Sequence, residues 1–183
     1  MESLKGQFLI ASTHLRDPNF FRTVVLMVQH DEHGAMGLVL NRPTEMTIKD
    51  AWEQVSDSPC EREDRLYSGG PCEGVLAVVH TQSDASEIEV LPGIHFAATA
   101  DNVSRLAMGG GATARFFVGY AGWAPGQLEN EVNAGAWLSA PATQARIFED
   151  GENLWRSLIK EISWAAVAAG LNPKVVPTDP SMN

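Results

Sequence analysis

The sequence has little cysteine and no long apolar run. Its two cysteines, Cys60 and Cys72, form no CxxC pair and lack a secretory context, so we expect reduced thiols and no disulfide framework. No apolar stretch reaches the roughly 18 residues that a membrane-spanning helix needs. The N-terminal Met-Glu-Ser-Leu-Lys-Gly also lacks the basic and apolar regions of a secretory signal. These absences predict a soluble, cytoplasmic protein with no membrane partner.

Positive charge is also scarce. The chain has 13 Lys and Arg residues against 23 Asp and Glu residues, which gives a formal net charge of -10. Duplex DNA and anionic bilayers are bound largely through clustered Lys and Arg, and the sequence shows neither such a cluster nor a helix-turn-helix pattern. Nucleic acid is therefore disfavoured as a partner, and DNA binding by a transcriptional regulator is the weakest functional hypothesis.

Apolar patterns predict strands joined in hairpins, with helices between them. The length of 183 residues and the 44% apolar content suit one ordinary core. Strands are predicted at 8–11, 23–29, 36–40, 75–81, 87–91, 94–97 and 115–118. Residues 23–40 are expected to form one antiparallel hairpin, and 75–91 a second. Helices are expected from Thr47, with Asp50 completing a capping box, from Asp101 and from Asp150.

This alternation predicts an α+β fold. We expect a single domain over residues 1–172, built on a largely antiparallel, strongly curled, barrel-like sheet flanked by helices. The final helix should pack on the sheet through Trp155. The tail at 173–183 contains three prolines and is expected to be extended and partly disordered.

The most distinctive stretch runs from Gly119 to Trp137 and reads GYAGWAPGQLENEVNAGAW. It predicts the end of a buried strand, a Gly/Pro turn, a short acidic helix and the start of another strand. Leu128 and Val132 share one face of that helix, and Gly135 suits a left-handed stop after it. The aromatic residues of this stretch are assigned to core packing, with a role in lining a pocket as the alternative.

This stretch closely resembles the YqgE/AlgH family, whose members carry Gly-Tyr-Ala-Gly-Trp, then Gly-Gln-Leu-Glu, then an acidic residue and a Trp at this spacing. The resemblance spans about residues 5 to 170. It also rests on Gly6–Ile10, Phe20–His30, Gly34–Pro43, Gly69–Pro71, His80 and Leu154–Trp155. It implies a bacterial protein from a family without an established biochemical activity, some of whose members are labelled transcriptional regulators.

The histidines give no metal site by sequence. His30 and His33 are three residues apart, but this spacing falls across a predicted turn rather than on a helix, which favours a solvated turn. His80 also precedes a predicted hairpin turn and is expected near His30 at one edge of the sheet. Neither histidine has an identifiable Ser or Cys partner for a catalytic triad. We therefore predict no metal and no cofactor, and assign no catalytic residue.

A candidate ligand site follows from the predicted hairpin register. That register places Asn41 opposite Val24 and brings Arg22, Asn41 and Arg42 together at the end of the hairpin away from His30. Two guanidinium groups and an amide suit a carboxylate or a phosphate. We expect a cleft here that takes an anionic ligand, distinct from the end that holds the histidines.

Three further residues are added to this candidate site. Gly69 and Gly70 form a predicted turn with free backbone donors, although a purely structural turn is favoured because the P-loop Lys and helix are missing. Glu131 joins the site only if its helix lies beside the hairpin. In the alternative interpretation, the two arginines form ion pairs with Asp17, Glu129 or Glu131.

The leading functional hypothesis is a binding or regulatory protein with an anionic small molecule or a protein as its partner. The second hypothesis is a small-molecule hydrolase or transferase that uses the neighbourhood of Asn41, Arg42 and Glu131. The sequence does not decide whether the protein is an enzyme, and it leaves the oligomeric state open.

Overall fold

The computed structural model of the chain describes residues 2–54, 56, 59–109 and 111–168. These residues form ten strands and five α-helices. Strands β1 to β10 are Gln7–Ala11, Val24–Asp31, Gly34–Val39, Pro43–Thr47, Arg65–Ser68, Cys72–His80, Ile88–Leu91, Ile94–Ala97, Ala114–Trp123 and Trp137–Pro141. Helices α1 to α5 are Ile48–Glu53, Ala100–Met108, Gln127–Asn133, Gln144–Phe148 and Leu154–Ala168. The predicted tail at 173–183 lies outside the described residues.

The strands form one strongly curled sheet with the order β10-β1-β2-β3-β9-β6-β8-β7. Strand β5 pairs in parallel with β9 and antiparallel with β4. The other pairings are antiparallel. The sheet is a half-barrel within a single α+β domain, which confirms the predicted fold class.

The first hairpin forms as predicted, but its register slips by one residue near its middle. His30 pairs with Ala35, as expected, whereas Val25 pairs with Val39. The slip is caused by a bulge between Met27 and Gln29, because an extra residue on one strand shifts every later pair. The prediction that Asn41 faces Val24 is therefore wrong for the backbone pairing.

The predicted second hairpin is wrong. Strand β8 lies between β6 and β7 and is antiparallel to both. The chain passes from β6 through a 3-10 turn at Ser83–Ala85 into β7. It then reverses at Gly93, where φ is +77°, so that β8 fills the gap beside β6. Sequence spacing did not reveal this because β6 and β7 are neighbours along the chain but not in the sheet.

The helix ends follow local sequence signals in most places. Thr47 and Asp50 form the predicted capping box before α1. Helix α2 begins at Ala100 and not after Asp101, and the Glu87 carboxylate accepts the N–H groups of Ala98 and Thr99 that precede it. Asp150 caps the 3-10 turn that leads into α5. Helix α4 was not predicted.

Helix α5 lies on the sheet, as expected from its apolar face. Leu154, Trp155, Leu158 and Ile159 are buried in the main core. The Trp155 indole donates its N–H to the carbonyl oxygen of Ala11 at 2.8 Å, which joins the helix to β1. No helix in the described part of the chain is long and apolar enough to cross a membrane.

Candidate functional site

A cleft of about 1120 Å³ opens at one end of the sheet, where β2 and β9 begin and β3 ends. We call it the arginine cleft. It is lined by Arg22, Asn41, Arg42, Pro43, Arg62, Asp64, Arg65, Tyr67, Thr113, Ala114, Arg115, Phe148, Asp150, Glu152, Asn153, Trp155 and Arg156. This volume is slightly above the roughly 300–1,000 Å³ that is typical of small-molecule binding sites.

The lining of the cleft carries more positive than negative side chains, whereas the chain as a whole is net negative. Six of the nine arginines of this acidic protein line the arginine cleft, together with three carboxylates, Asp64, Asp150 and Glu152. The arginines come from separate segments, so no basic cluster is visible along the sequence. A concave wall of cations raises the local concentration of anions.

Arg115 is the most deeply placed of these arginines, with 7% of its surface exposed. Its guanidinium donates to the carbonyl oxygens of Leu40 and Glu149 and lies 4.4 Å from the centre of the Tyr67 ring. Among the described residues, no carboxylate comes within ion-pair distance of it. Burial lowers the pKa of Arg115, while Tyr67, Asp150 and Glu149 raise it by weaker, longer-range attraction. A buried cation without a counter-ion is costly, and a bound anion would offset that cost.

Arg42 and Arg22 also line the cleft, and both are half-buried. Arg42 Nη2 donates to the carbonyl oxygen of Phe21 at 2.6 Å, and burial lowers the pKa of Arg42. The Arg22 guanidinium lies 5.0 Å from the centre of the Phe21 ring and 5.3 Å from that of Trp155. These contacts fix both guanidinium groups before a ligand arrives.

Asn41 supports the cleft through the backbone. Its Nδ2 donates to the carbonyl oxygen of Arg22, and its Oδ1 accepts the N–H of Val24, both at 2.9 Å. Arg22 has a φ of +56°, a left-handed conformation that side chains other than Gly adopt infrequently. The Asn41 amide therefore acts mainly on the chain rather than as the open ligand donor expected from sequence.

The outer part of the cleft is more exposed. Arg62 pairs with Asp64 at 2.9 Å, donates to the Leu106 carbonyl oxygen and lies 5.3 Å from the centre of the Phe116 ring. Arg65 and Arg156 are exposed at the rim. The charge of Arg62 is thus partly neutralised, which distinguishes it from the buried Arg115.

Gly69 and Gly70 do not line the arginine cleft. The Gly69 N–H donates to the Val118 carbonyl oxygen, and the Gly69 carbonyl accepts from Val39, so this turn joins β3 to β9. A Cβ at Gly70 would lie 2.3 Å from the Tyr120 carbonyl carbon, which explains the glycine by close backbone approach. The expected free backbone donor of Gly69 is therefore already engaged.

Glu131 also lies away from the arginine cleft, because its helix packs at the opposite end of the hairpin. Its carboxylate accepts the indole N–H groups of Trp123 and Trp137, both at 2.9 Å, and the amide of Gln127. The neighbouring Glu129 contacts His30 at 3.1 Å. Of the six residues in the predicted site, the structure brings together Arg22, Asn41 and Arg42 and places the other three elsewhere.

The histidines differ from expectation in burial and position. His33 is exposed, as predicted for a turn, but His30 is buried, accepts the Leu4 N–H at Nδ1 and contacts Glu129 through Nε2. His80 pairs with Ala114, so it lies at the end of β9 that also borders the arginine cleft, and not near His30. The prediction that His30 and His80 lie at one end of the sheet is therefore wrong.

His80 is fully buried and lies beside another histidine, with the two rings tilted by 34°. Its ring centre lies 5.9 Å from that of His95, its Nδ1 accepts the Gln82 N–H, and its Nε2 has no hydrogen-bond partner within the described chain. Burial, followed by the proximity of His95, lowers the pKa of His80 to about 4. Within the same described residues, no group of three or more His, Cys, Asp or Glu side chains is arranged to hold a metal.

The sequence did contain one overlooked signal for this site. Arg115 stands within the apolar strand that continues as Phe116, Phe117 and Val118. Arginine is almost never fully buried unless it is paired, so an arginine inside a buried strand indicates a binding partner. Among the described residues that line the cleft there is no Ser, Cys or His. The arrangement suits the binding of an anion, because six arginine side chains line one concavity.

Comparison with protein families identifies one whose model matches most of the chain. The model of the AlgH-like family, DUF179, matches residues 8–166. A UPF0301 protein of Chlorobaculum tepidum is 37% identical over 162 residues, covering 85% of this chain and 84% of its own. A UPF0301 protein of Myxococcus xanthus is 37% identical over 165 residues, covering 87% of this chain and 91% of its own.

Two solved structures share the fold. The solution structure of the AlgH protein from Pseudomonas aeruginosa is 36% identical, with a TM-score of 0.74 over 93% of this chain and 91% of that one. A crystal structure from Corynebacterium diphtheriae is 25% identical, with a TM-score of 0.69 over 88% of each chain. The similarity therefore covers both the sheet and the segments that form the arginine cleft.

Proposed function

The chain belongs to the AlgH-like family, and we propose that it is a cytoplasmic binding protein that holds an anionic small molecule in the arginine cleft. The observation that carries the proposal is Arg115, a guanidinium with 7% of its surface exposed and no carboxylate within ion-pair distance among the described residues. A protein gains stability when such a charge is neutralised by a ligand.

The surroundings of Arg115 support the same role. Arg42 and Arg22 line the same cleft and contact Phe21 and Trp155. Fixed guanidinium groups lose little conformational entropy when they bind an oxyanion, and they bind it bidentately. A protein with net charge -10 that gathers its arginines in one concavity thus favours small anions there and disfavours an extended polyanion.

The proposal is tested by thermal unfolding in the presence of a metabolite library divided into anionic and neutral compounds, in a buffer without phosphate. A ligand present at 100 times its Kd adds about 2.7 kcal/mol to the free energy of unfolding. We expect hits among the anionic compounds, with stabilisation that decreases as NaCl is raised. Each hit is then measured with Arg42→Gln, which removes a half-buried cation of the cleft.

The matched control is Arg105→Gln. Arg105 is an exposed arginine on α2 that pairs with Asp84 and lies outside the cleft lining. We expect Arg42→Gln to weaken the binding of each anionic hit at least tenfold and Arg105→Gln to leave it unchanged. Equal binding by both variants would contradict the assignment of the ligand to the arginine cleft.

A further inference from the structure

The ion pairs of the arginine cleft leave an excess of positive charge in its lining. Arg62 and Asp64 neutralise each other at 2.9 Å. Within the described chain, no carboxylate lies within ion-pair distance of four other lining arginines, Arg42, Arg65, Arg115 and Arg156. Two lining carboxylates, Asp150 and Glu152, are also outside these ion pairs. Arg22 is left out of this balance because its guanidinium already contacts two aromatic rings. Four arginines against two carboxylates leave an excess of two positive charges.

Two of these arginines occupy neighbouring positions on adjacent strands. Strands β5 and β9 are parallel, and Leu66 pairs with Phe116, so Arg65 and Arg115 each stand one residue before that pair. Neighbouring strands lie about 4.8 Å apart, which is therefore the approximate separation of the two backbones. Both side chains line the arginine cleft. A single small molecule is thus large enough to contact both.

The two neighbouring arginines lie at different depths. Arg115 is 7% exposed, and its guanidinium donates to the carbonyl oxygens of Leu40 and Glu149. A guanidinium has five N–H donors, so these two bonds leave donors for a ligand. Arg65, in contrast, is exposed. The cleft therefore presents one cation in its interior and another at its open edge.

One anionic group does not compensate both cations. A carboxylate carries a single negative charge, which one bidentate arginine satisfies. The second cation would remain, and like charges at neighbouring positions of a sheet destabilise each other. A second anionic group on the same molecule compensates that cation as an intramolecular event, because the first group already holds the molecule in place.

Building on the function proposed above, we infer that the ligand carries two separate anionic groups, as a dicarboxylate or a bisphosphate does. One group binds Arg115 in the interior of the cleft, and the other binds Arg65 at the open edge. Arg156, which is also exposed in the lining, adds positive charge at the edge. The inference depends on the proposed function, because it names the ligand class of the same cleft.

The inference is tested by isothermal titration calorimetry of the full chain with matched pairs of compounds, at constant ionic strength and without phosphate in the buffer. The pairs are succinate and butyrate, glutarate and pentanoate, and fructose 1,6-bisphosphate and fructose 6-phosphate. We expect the compound with two anionic groups to bind at least tenfold more tightly than its partner in at least one pair. The pair that shows this preference tells dicarboxylates from bisphosphates. A preference below tenfold in every pair would overturn the inference.

Arg65→Gln tests the second contact at an exposed position, where the change leaves the core intact. We expect it to reduce the preference for two anionic groups at least fivefold and to leave the affinity for the compound with one group unchanged. Arg115→Lys keeps the charge but loses the planar fork, and it should weaken both members of the pair. An undiminished preference in Arg65→Gln would overturn the inference, whether or not Arg115→Lys folds.

The outcomes distinguish this inference from the proposed function. If both members of every pair bind equally and Arg42→Gln weakens both, the arginine cleft binds anions and only the requirement for two groups is wrong. If no compound of the panel binds in a way that depends on Arg42, both fail. Arg105→Gln, outside the cleft lining, is the matched control and should keep both affinities. A loss of preference in Arg105→Gln equal to that in Arg65→Gln would overturn the assignment to Arg65.

Discussion

The side-chain amide of Asn41 donates a hydrogen bond to the backbone of Arg22 across the hairpin. Nδ2 of Asn41 lies 2.9 Å from the carbonyl oxygen of Arg22, and Oδ1 accepts the backbone N–H of Val24. This pair of bonds spans the point where Arg22 adopts its left-handed backbone conformation. Asn41 is therefore a positioning residue for one wall of the arginine cleft.

Replacing Asn41 with Ala is expected to lower the free energy of unfolding by about 1–3 kcal/mol, because two backbone groups lose their partners. Asn41→Asp keeps the acceptor for Val24 but turns a carboxylate oxygen towards the Arg22 carbonyl oxygen, so we expect a loss of similar size. Urea denaturation measures both. Asn130→Ala, at an exposed position on α3, serves as the control. If Asn41→Ala changes stability no more than this control, the amide does not hold the backbone.

Trp137 and Trp155 are expected to be essential to stability. They are 3% and 4% exposed, and truncating a buried aromatic side chain to Ala costs about 3–5 kcal/mol of a total stability of roughly 5–15 kcal/mol. The matched control is Trp164→Ala, because Trp164 is 65% exposed. Chemical denaturation compares the three variants. A loss below about 1 kcal/mol in Trp137→Ala or Trp155→Ala would contradict the packing described here.

Glu131 is expected to act as a structural acceptor. Glu131→Ala leaves the buried indoles of Trp123 and Trp137 without their shared carboxylate, for an expected loss of about 2–5 kcal/mol. Glu131→Gln keeps an acceptor oxygen and should lose about 1 kcal/mol. Near-ultraviolet circular dichroism reports the tryptophan environment. Equal losses in the two variants would show that the indole bonds contribute little.

Because His80 is buried, we expect the protein to become less stable in mild acid. Its pKa is lowered to about 4 in the folded state from an ordinary 6.5, so between these values the unfolded chain binds a proton that the folded chain does not. Stability from this group is therefore complete above pH 6.5 and falls as the pH decreases towards 4. The expected loss between pH 7 and pH 5 is about 2 kcal/mol.

The contribution of His80 is isolated by comparing variants. His80→Leu should show a difference in stability between pH 7 and pH 5 that is smaller by about 2 kcal/mol than that of the parent. His33→Gln, at an exposed histidine, should keep the parent difference. Urea denaturation at the two pH values measures each. An unchanged difference in His80→Leu would show that another group carries the acid sensitivity.

Specific binding to duplex DNA is not expected at physiological salt. The chain carries a net charge of -10, and the arginines gathered in the cleft are accompanied by three carboxylates. Association with DNA is driven largely by the release of counterions when many cations contact phosphates. An electrophoretic mobility assay with random and genomic duplexes tests this expectation. A saturable shift that depends on sequence would contradict it.

Local signals were sufficient for much of the fold. The capping box at Thr47, the turn between β2 and β3 and the apolar face of α5 each depend on residues close in sequence, and each is present. The insertion of β8 between β6 and β7 was missed because strand order depends on contacts distant along the chain. A bulge moved the register at Met27 by one residue, which alternation alone does not reveal.

The candidate site was predicted in part for the same reason. Arg22, Asn41 and Arg42 meet because one hairpin joins them, and this was visible in the sequence. Arg115 and Arg156 come from β9 and α5, which are distant in sequence from that hairpin and reach the cleft through tertiary packing. Glu131 was placed with them because the position of α3 was unknown. Its indole partners hold it at the opposite end.

The placement of β1 has a consequence for how the protein is made. Strand β1 lies between β2 and β10, so the segment Gln7–Ala11 is completed by the segment Trp137–Pro141. Contacts between such distant segments form slowly because a long loop must close first. During synthesis, one edge of β1 therefore stays open until most of the chain has left the ribosome, and a nascent chain stopped before Trp137 exposes an unpaired apolar strand to aggregation.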